Sequence, residues 1–344
     1  MGIKKQRDIS SVSKACFLLG FLALTLGGCA GQFRVSGEEE VPEVDENLVV
    51  VGVSQIGSES VWRTANTASI QEVFTNDRGY FLLFSNARQK QENQIKAIRR
   101  FISRQVDYIV FSPITESGWD VVLQEARDAG IPVILMDRQV DVKDETLYTA
   151  WVGSDFHGEG RRAGEWLEAD LERQGRQEEE IQIVVLQGTE GATSAIGRTQ
   201  GFQEVACTHA NWIILEQVDA EYTTAKGREV MDHLLDKYEE IDVVISQNDD
   251  MTFGALEAMN RRGITTGVEG DVIVVSFDAV KSALKLVEQG VINVDIECNP
   301  EQGEWVEKVI QALERGEEVE KTFYIEEQVF TQENVSRYLD KRNY

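Results

Sequence analysis

Short β-branched runs alternate with segments of helical period along most of the chain, in two successive series. The runs lie at residues 48–54, 81–85, 108–112, 133–137 and 148–153, and then at 181–187, 213–218, 243–247, 272–277 and 291–296. Between runs, apolar residues recur three and four positions apart, as Ile95, Ile98 and Ile102 do, which indicates amphipathic helices. A strand, helix, strand repeat favours a parallel sheet covered on both faces. The sequence therefore predicts an α/β fold with two doubly wound, Rossmann-like lobes.

Polar residues follow nearly every predicted strand. Ligands of doubly wound sheets bind beyond the carboxyl ends of the strands, so these residues are candidates for a binding site. They are Gly57-Ser58-Glu59, Ser112-Pro113, Asp137-Arg138, Gly188-Thr189, Asn248-Asp249, Asp278 and Glu297.

The residue types at these positions suit a saccharide. A sugar ring presents adjacent hydroxyls, which planar bidentate side chains satisfy, and weakly apolar C–H faces, which aromatic rings cover. Asp137 and Arg138 offer a carboxylate and a guanidinium side by side, although a local ion pair is the alternative. Trp62 and Arg63 offer a stacking face and a second guanidinium, with a packing role as the alternative for Trp62.

The remaining candidates each have a structural alternative. Arg198 can be a solvent-facing helix residue, and Tyr222 can pack in a core. The run that starts at Asn248 can be a helix N-cap, and so can Asp278. Glu297 closes an apolar run, and a buried carboxylate there needs donors that a ligand can supply.

The N-terminal segment has the order of a secretory signal. Basic residues precede an apolar stretch, residues 15–26, that is too short to span a bilayer. Leu26-Gly27-Gly28-Cys29 then resembles a lipobox, which predicts a lipoprotein signal at residues 1–28 and a lipid on Cys29. An ordinary cleaved signal is the alternative. Residues 29–47 are acidic and poor in apolar side chains, so we predict a solvated tether and an extracytoplasmic, membrane-anchored protein.

Charge and cysteine content exclude several classes of partner and site. The net charge of −26 argues against nucleic acid. Of the cysteines, only Cys207 and Cys298 remain in the predicted mature domain, and we expect two unpaired buried thiols rather than a disulfide framework. The three histidines are isolated and lack the spacing of a metal site, so no metal or cofactor is predicted.

From about Val49 to Asn343 the chain resembles the type I periplasmic sugar-binding proteins, the ribose-binding group, and most closely its galactofuranose-binding members. The segments that carry the resemblance include SQIGSESVWR at 54–63, QKQENQIKA at 89–97, ARDAGIPV at 126–133, LQGT at 186–189 and NDDM at 248–251. The resemblance implies ligand contacts by Trp62, Arg63, Asp137, Arg138, Arg198, Asn248 and Asp278, and extends them to Ser58, Glu59, Tyr222 and Glu297.

The resemblance also implies a mode of action. Two lobes joined by a hinge of three crossings would be residues 48–153 with about 298–326, and residues 154–297 with about 327–344. They would close on a monosaccharide, galactofuranose or a similar aldose, and the monomeric protein would deliver it to the permease subunits of an ABC transporter. A sugar sensor that presents its ligand to a membrane receptor or histidine kinase is the alternative. An enzyme is not predicted, because spacing assigns no carboxylate pair, nucleophile with base, or metal cluster.

Overall fold

The computed structural model describes residues 48–344, and every strand predicted from the sequence is present. The strands are β1 Val49–Gln55, β2 Tyr80–Asn86, β3 Tyr108–Phe111, β4 Val133–Met136, β5 Ala150–Gly153, β6 Ile181–Gln187, β7 Trp212–Asp219, β8 Val243–Ser246, β9 Ile273–Asp278, β10 Val294–Glu297, β11 Thr322–Tyr324 and β12 Val329–Thr331. The predicted signal segment, Cys29 and the tether lie outside the described residues.

Helices follow most of the strands. They are α1 Val61–Val73, α2 Gln91–Ser103, α3 Asp120–Asp128, α4 Phe156–Gln174, α5 Thr193–Ala206, α6 Thr224–Lys237, α7 Asp249–Arg261, α8 Lys281–Glu288 and α9 Gly303–Glu314. Within the described range, no helix combines the length and the apolarity that crossing a bilayer requires.

The strands form two six-stranded sheets of equivalent order. The first sheet runs β2-β1-β3-β4-β5-β11, and all of its pairings are parallel. The second runs β7-β6-β8-β9-β10-β12, and β12 is antiparallel to its neighbour. We call each sheet with its covering helices a lobe. The predicted fold class is confirmed: two doubly wound α/β lobes.

The central strands are apolar on both faces, as helices on both sides require. In β3 and β4 every residue is buried. Close packing holds the helices on the sheet: a Cβ added at Gly52 of β1 would lie 2.6 Å from the ring of Phe101 on α2. This packing fixes the positions of the strands, and therefore of the residues that follow their carboxyl ends.

Glycines also bring α4 and α5 into contact. A Cβ at Gly160 of α4 would lie 2.1 Å from the carbonyl oxygen of Arg198, and one at Gly201 of α5 would lie 2.0 Å from that of His157. Real Cβ atoms do not approach backbone so closely, so both positions require glycine. The backbone of Arg198 is thereby held against α4.

The chain passes between the sheets three times, from β5 to α4, from β10 towards α9, and from β11 to β12. The helix α9 packs on α1 of the first lobe, and β11 pairs with β5. The sequence did not predict β11 and β12, which are three-residue edge strands with partly exposed side chains.

The two cysteines of the described residues are unpaired, and Cys298 is buried, as expected. The expectation that Cys207 is buried is wrong. It directly follows the last residue of α5, where the helix end reaches the surface.

Candidate functional site

A small cavity, with free space of about 20 Å³ in this closed arrangement, lies where the strand ends of the two lobes face each other. Its lining is polar, charged and aromatic, and it includes nine of the eleven predicted ligand-contact residues. The lining residues are Glu59, Ser60, Trp62, Arg63, Asp137, Arg138, Phe156, Ser194, Arg198, Tyr222, Asn248, Asp278 and Cys298. The free space in this closed arrangement is well below the roughly 300 Å³ of an ordinary small-ligand site, so binding such a ligand requires the lining to move apart.

Asp137 accepts the hydrogen bonds that connect the first-lobe residues of the cavity wall. It follows β4 with a φ of 63°, a conformation that Asp and Asn tolerate better than most residues. Its Oδ2 accepts hydrogen bonds from Arg63 Nη2 at 2.7 Å and from Ser112 Oγ at 2.9 Å. Burial alone would lower the pKa of Arg63, but Asp137 and Glu59 raise it above its ordinary value. The arginine is therefore permanently charged.

Glu59 offers an acceptor that the described protein does not use. Its side chain is 5% exposed, and Oε1 accepts from Arg63 Nε at 3.0 Å. Its Oε2 is buried and has no hydrogen-bond partner among the described residues. A buried acceptor without a donor is costly, and a hydroxyl in the cavity would satisfy it.

Arg138 reaches from the first lobe towards the second. Its Nη1 donates to the carbonyl of Ile114 at 2.8 Å, and its guanidinium carbon lies 5.2 Å from the ring centroid of Tyr222. Burial and the neighbouring charge of Arg63 lower its pKa. An arginine in this environment is a strong donor for an uncharged ligand with oxygen acceptors.

Arg198 is the corresponding cation of the second lobe. It is 2% exposed, its Nε donates to Glu159 at 2.6 Å, and its Nη2 lies 3.3 Å from Asp278 Oδ1. Burial opposes the charge, but Glu159 raises the pKa of Arg198 well above its ordinary value. The predicted alternative, a solvent-facing helix residue, is excluded by its burial.

Asp278 ends β9 in a strained conformation, with a φ of 105°. Non-glycine residues in such regions cost about 1–3 kcal/mol and concentrate at functional sites. Burial raises the pKa of Asp278 well above its ordinary value, against the influence of Arg198. Its carboxyl group faces Arg198 at the cavity wall.

Three aromatic rings complete the lining. Trp62 is 4% exposed, and its Nε1 donates to the carbonyl of Cys298 at 2.5 Å. The hydroxyl of Tyr222 lies 2.8 Å from Ser194 Oγ, and Phe156 begins α4. Trp62 and Tyr222 therefore pack in the interior and also line the cavity.

Asn248 caps a helix and also lies on the cavity wall. Its Oδ1 accepts from the backbone N–H of Met251 at 2.9 Å, which makes it the N-cap of α7. Its side chain also lies on the cavity wall.

Ser58 and Glu297 lie outside the cavity, contrary to expectation. Ser58 is exposed, and its Oγ accepts from Asn86. Glu297 is buried, but Arg342 at 2.6 Å and the backbone N–H of Gln328 at 2.9 Å supply the donors that we expected from a ligand. Arg342 is separated from the strand by 45 positions, so nothing near Glu297 in sequence indicates it.

The sequence prediction missed Ser60, Phe156, Ser194 and Cys298. Ser60 is the N-cap of α1, and Cys298 directly follows Glu297. Both residues lie just after strands, so the same inspection of strand ends could have predicted them. Phe156 and Ser194 lie in the first turns of helices that follow strand ends. The first turn of a helix that follows a strand end is therefore a position from which these two residues could have been predicted.

Comparison with known proteins places this geometry in context. Residues 51–318 match a family model described as a periplasmic binding protein domain. The chain is similar to the galactofuranose-binding protein YtfQ of Escherichia coli (strain K12), with 38% identity over 255 residues that cover 73% of this chain and 78% of that protein.

Two solved structures are similar over 86% of this chain and 95% of theirs, each with 39% identity. One is from Mycobacterium smegmatis in complex with beta-D-fucofuranose, with a TM-score of 0.82. The other is the periplasmic binding component of the arabinose ABC transporter from Shewanella sp. ANA-3, bound to alpha- and beta-L-arabinofuranose, with a TM-score of 0.79.

Proposed function

Because this chain belongs to the periplasmic binding protein family, we propose that it captures one uncharged monosaccharide between its lobes, an aldose in furanose form such as galactofuranose. The monomer would deliver the sugar to the permease subunits of an ABC transporter. Of the similar proteins named above, one is named as a galactofuranose-binding protein, one was solved in complex with beta-D-fucofuranose, and one is bound to alpha- and beta-L-arabinofuranose.

The unpartnered Oε2 of Glu59 is the observation that carries this proposal. Glu59 lines a cavity where three arginines, Arg63, Arg138 and Arg198, meet three carboxylates, those of Glu59, Asp137 and Asp278. A balanced set of this kind favours an uncharged ligand rich in hydroxyls, because a phosphorylated sugar would add charge next to buried carboxylates.

Binding requires the lobes to move, because the lining side chains are almost inaccessible in this closed arrangement. Polar contacts among the described residues join the two lobes beside the cavity. Among them are the backbone N–H of Val61 to Asp250 at 3.0 Å, that of Glu116 to the carbonyl of Gly191 at 2.9 Å, and that of Gln139 to Thr193 Oγ1 at 3.0 Å. Breaking them would open the cavity, and a ligand that touches both lobes would favour closure.

The same proposal assigns the lobe boundaries. The first lobe would hold residues 48–153 and about 298–326, and the second would hold residues 154–297 and about 327–344. The membership of β11 and β12 in the two sheets supports this division.

A thermal-shift panel tests the function. D-galactose, L-arabinose, D-fucose, D-ribose, D-fructose and myo-inositol would each be added to the purified protein. We expect a sugar with an accessible furanose form to raise the melting temperature in proportion to the logarithm of its concentration. If no monosaccharide shifts the melting temperature while a charged or apolar ligand does, the proposal is wrong.

We further propose that a lipid on Cys29 anchors the protein outside the membrane. The lipobox pattern before Cys29 supports this. Cys29→Ser should move the protein from the membrane fraction to the soluble fraction, whereas membrane retention of that variant would contradict the anchor.

A further inference from the structure

Asp250 of α7 accepts a hydrogen bond from the other lobe. Its Oδ2 accepts from the backbone N–H of Val61, the first residue of α1, at 3.0 Å. Its Oδ1 accepts from Thr224 Oγ1 at 3.4 Å, within its own lobe. The residue is 8% exposed, so water has little access to this carboxyl group. We call the contact between Val61 and Asp250 the interlobe bond.

The two partners of the interlobe bond are packed on different sheets. On α1, Ile70 and Val73 are buried in the cluster that includes Val53 of β1, in the first sheet. The helix α7 packs on β8 and β9, in the second sheet. It is also held against α6, since a Cβ at Gly254 would lie 2.2 Å from the carbonyl oxygen of Thr224. A hinge motion of one sheet against the other therefore acts directly on the interlobe bond.

The interlobe bond lies among residues of the cavity wall. Ser60 and Trp62, on either side of Val61, line the cavity, and so does Asn248, two positions before Asp250. The free space of the closed arrangement is too small for a sugar, so admitting one requires these parts of the wall to move apart. That motion breaks the interlobe bond, and closure forms it.

The interlobe bond completes the N-terminus of α1. The first N–H groups of a helix have no partner within the helix. In α1, Ser60 Oγ accepts from the backbone N–H of Arg63 at 3.0 Å, and Asp250 accepts from that of Val61. The side chain of Val61 is 43% exposed, so packing does little to hold it. The first turn of α1, which carries Trp62 and Arg63 into the cavity wall, is therefore held in part from the second lobe.

The two other polar contacts described between the lobes have neutral acceptors. The backbone N–H of Glu116 donates to the carbonyl of Gly191, and that of Gln139 donates to Thr193 Oγ1. A carboxylate is a stronger acceptor than a carbonyl or a hydroxyl, and the N-terminus of a helix favours a negative group. Burial raises the pKa of Asp250, and the interlobe bond opposes that rise, so the bond is stronger with the carboxylate form. Of these three contacts, the interlobe bond is expected to contribute most to the closed form.

We propose that Asp250 is a positioning residue for sugar binding: it forms the interlobe bond on closure, holds the first turn of α1 against the cavity and thereby slows the release of the sugar. The inference rests on the proposed function in so far as closure retains a sugar. The open form meets the sugar without the bond, so the association rate does not depend on Asp250. The bond has to break before the sugar leaves, so the dissociation rate does depend on it.

Val61→Pro removes the donor of the interlobe bond and leaves the acceptor in place. Proline is favoured at the first position of a helix and has no N–H. Ser60, which precedes it, is already extended, with a φ of −139° and a ψ of 163°, as the residue before a proline requires. Val61→Ala is the matched control, because it shortens the same side chain and keeps the N–H.

Stopped-flow measurements would give the association and dissociation rates of the panel sugar that raises the melting temperature most. We expect Val61→Pro and Asp250→Ala each to raise the dissociation rate about tenfold and to leave the association rate within about twofold of the wild-type value. Val61→Ala should keep both rates. An unchanged dissociation rate in Val61→Pro, or a rise of the same size in Val61→Ala, would overturn the proposal.

The double variant Val61→Pro with Asp250→Ala tests whether the two residues act through one bond. Both changes remove the same contact, so the dissociation rate of the double variant should match that of the more affected single variant. Effects that multiply, to about a hundredfold, would show that the residues act independently, and the interlobe bond would not be the cause.

Closure can also be measured without sugar, which separates a failure of this inference from a failure of the proposed function. A Cβ at Gly191 in the second lobe would lie 3.5 Å from that of Thr115 in the first, within the range of a disulfide. Thr115→Cys with Gly191→Cys would therefore report closure as the equilibrium between dithiol and disulfide in a glutathione buffer, with Cys207→Ser throughout because Cys207 is exposed.

In this background, Val61→Pro should lower the equilibrium constant for the disulfide about tenfold relative to Val61→Ala. Equal constants would overturn the inference even if a sugar of the panel binds. A lower constant would support it even if none of those sugars does.

Discussion

Asp137→Asn is expected to weaken sugar binding at least about 30-fold, or about 2 kcal/mol. The carboxylate accepts from both Arg63 and Ser112, and it lies 4.0 Å from Arg138 Nε. Asparagine tolerates the positive φ and keeps the shape, so the change removes charge rather than volume. Arg63 then keeps Glu59 as its only nearby counter-ion among the described residues, and its buried charge is less well compensated.

Titration calorimetry with the sugar identified by the panel would measure this loss. Asp141→Asn is a suitable control, because Asp141 lies four residues further along the chain and is exposed. The control should bind like the wild type. Wild-type affinity in Asp137→Asn itself would remove this residue from the site.

Arg198→Met is expected to lower the free energy of unfolding by about 3–5 kcal/mol, since it leaves buried carboxylates without their cation. Methionine roughly preserves the volume, so the loss reports the orphaned charges of Glu159 and Asp278. Their folded-state pKa values are already raised, and removing the arginine raises them further. The deficit should therefore shrink as pH falls and the carboxylates take up protons.

Urea unfolding at neutral and acidic pH would test both parts of this expectation. Arg161→Met supplies the comparison, because Arg161 is an exposed residue of α4 that faces Glu165 at 3.8 Å. It should change stability by less than about 1 kcal/mol. A comparably small effect of Arg198→Met would show that the buried network contributes little.

The sequence predicted the fold because its signals are local. The buried strands are short runs of mostly apolar residues, many of them β-branched or aromatic, and the strand-end rule needs no long-range information. The same rule located Asp137, Arg138 and Asp278. The rule also selected Glu297, which lies outside the cavity because its carboxylate is bound by Arg342, 45 residues further along the chain.

Other features had no local signal at all. Glu159 lies inside α4 among charged neighbours, a context that predicts a surface residue, yet it is fully buried. Its burial follows from Gly160 and Gly201, which bring two helices together. The edge strands β11 and β12 are too short for periodicity to detect them, and only pairing across distant parts of the chain defines them.

That distant pairing has a consequence for biosynthesis. The first sheet lacks its last strand until residues 322–324 are made, although its other strands are complete by residue 153. A nascent or truncated polypeptide would meanwhile present β5 as a bare edge, the kind of surface that pairs with other chains. Final consolidation of both halves must wait for the last few dozen amino acids, so C-terminal truncations should aggregate more readily than short N-terminal ones.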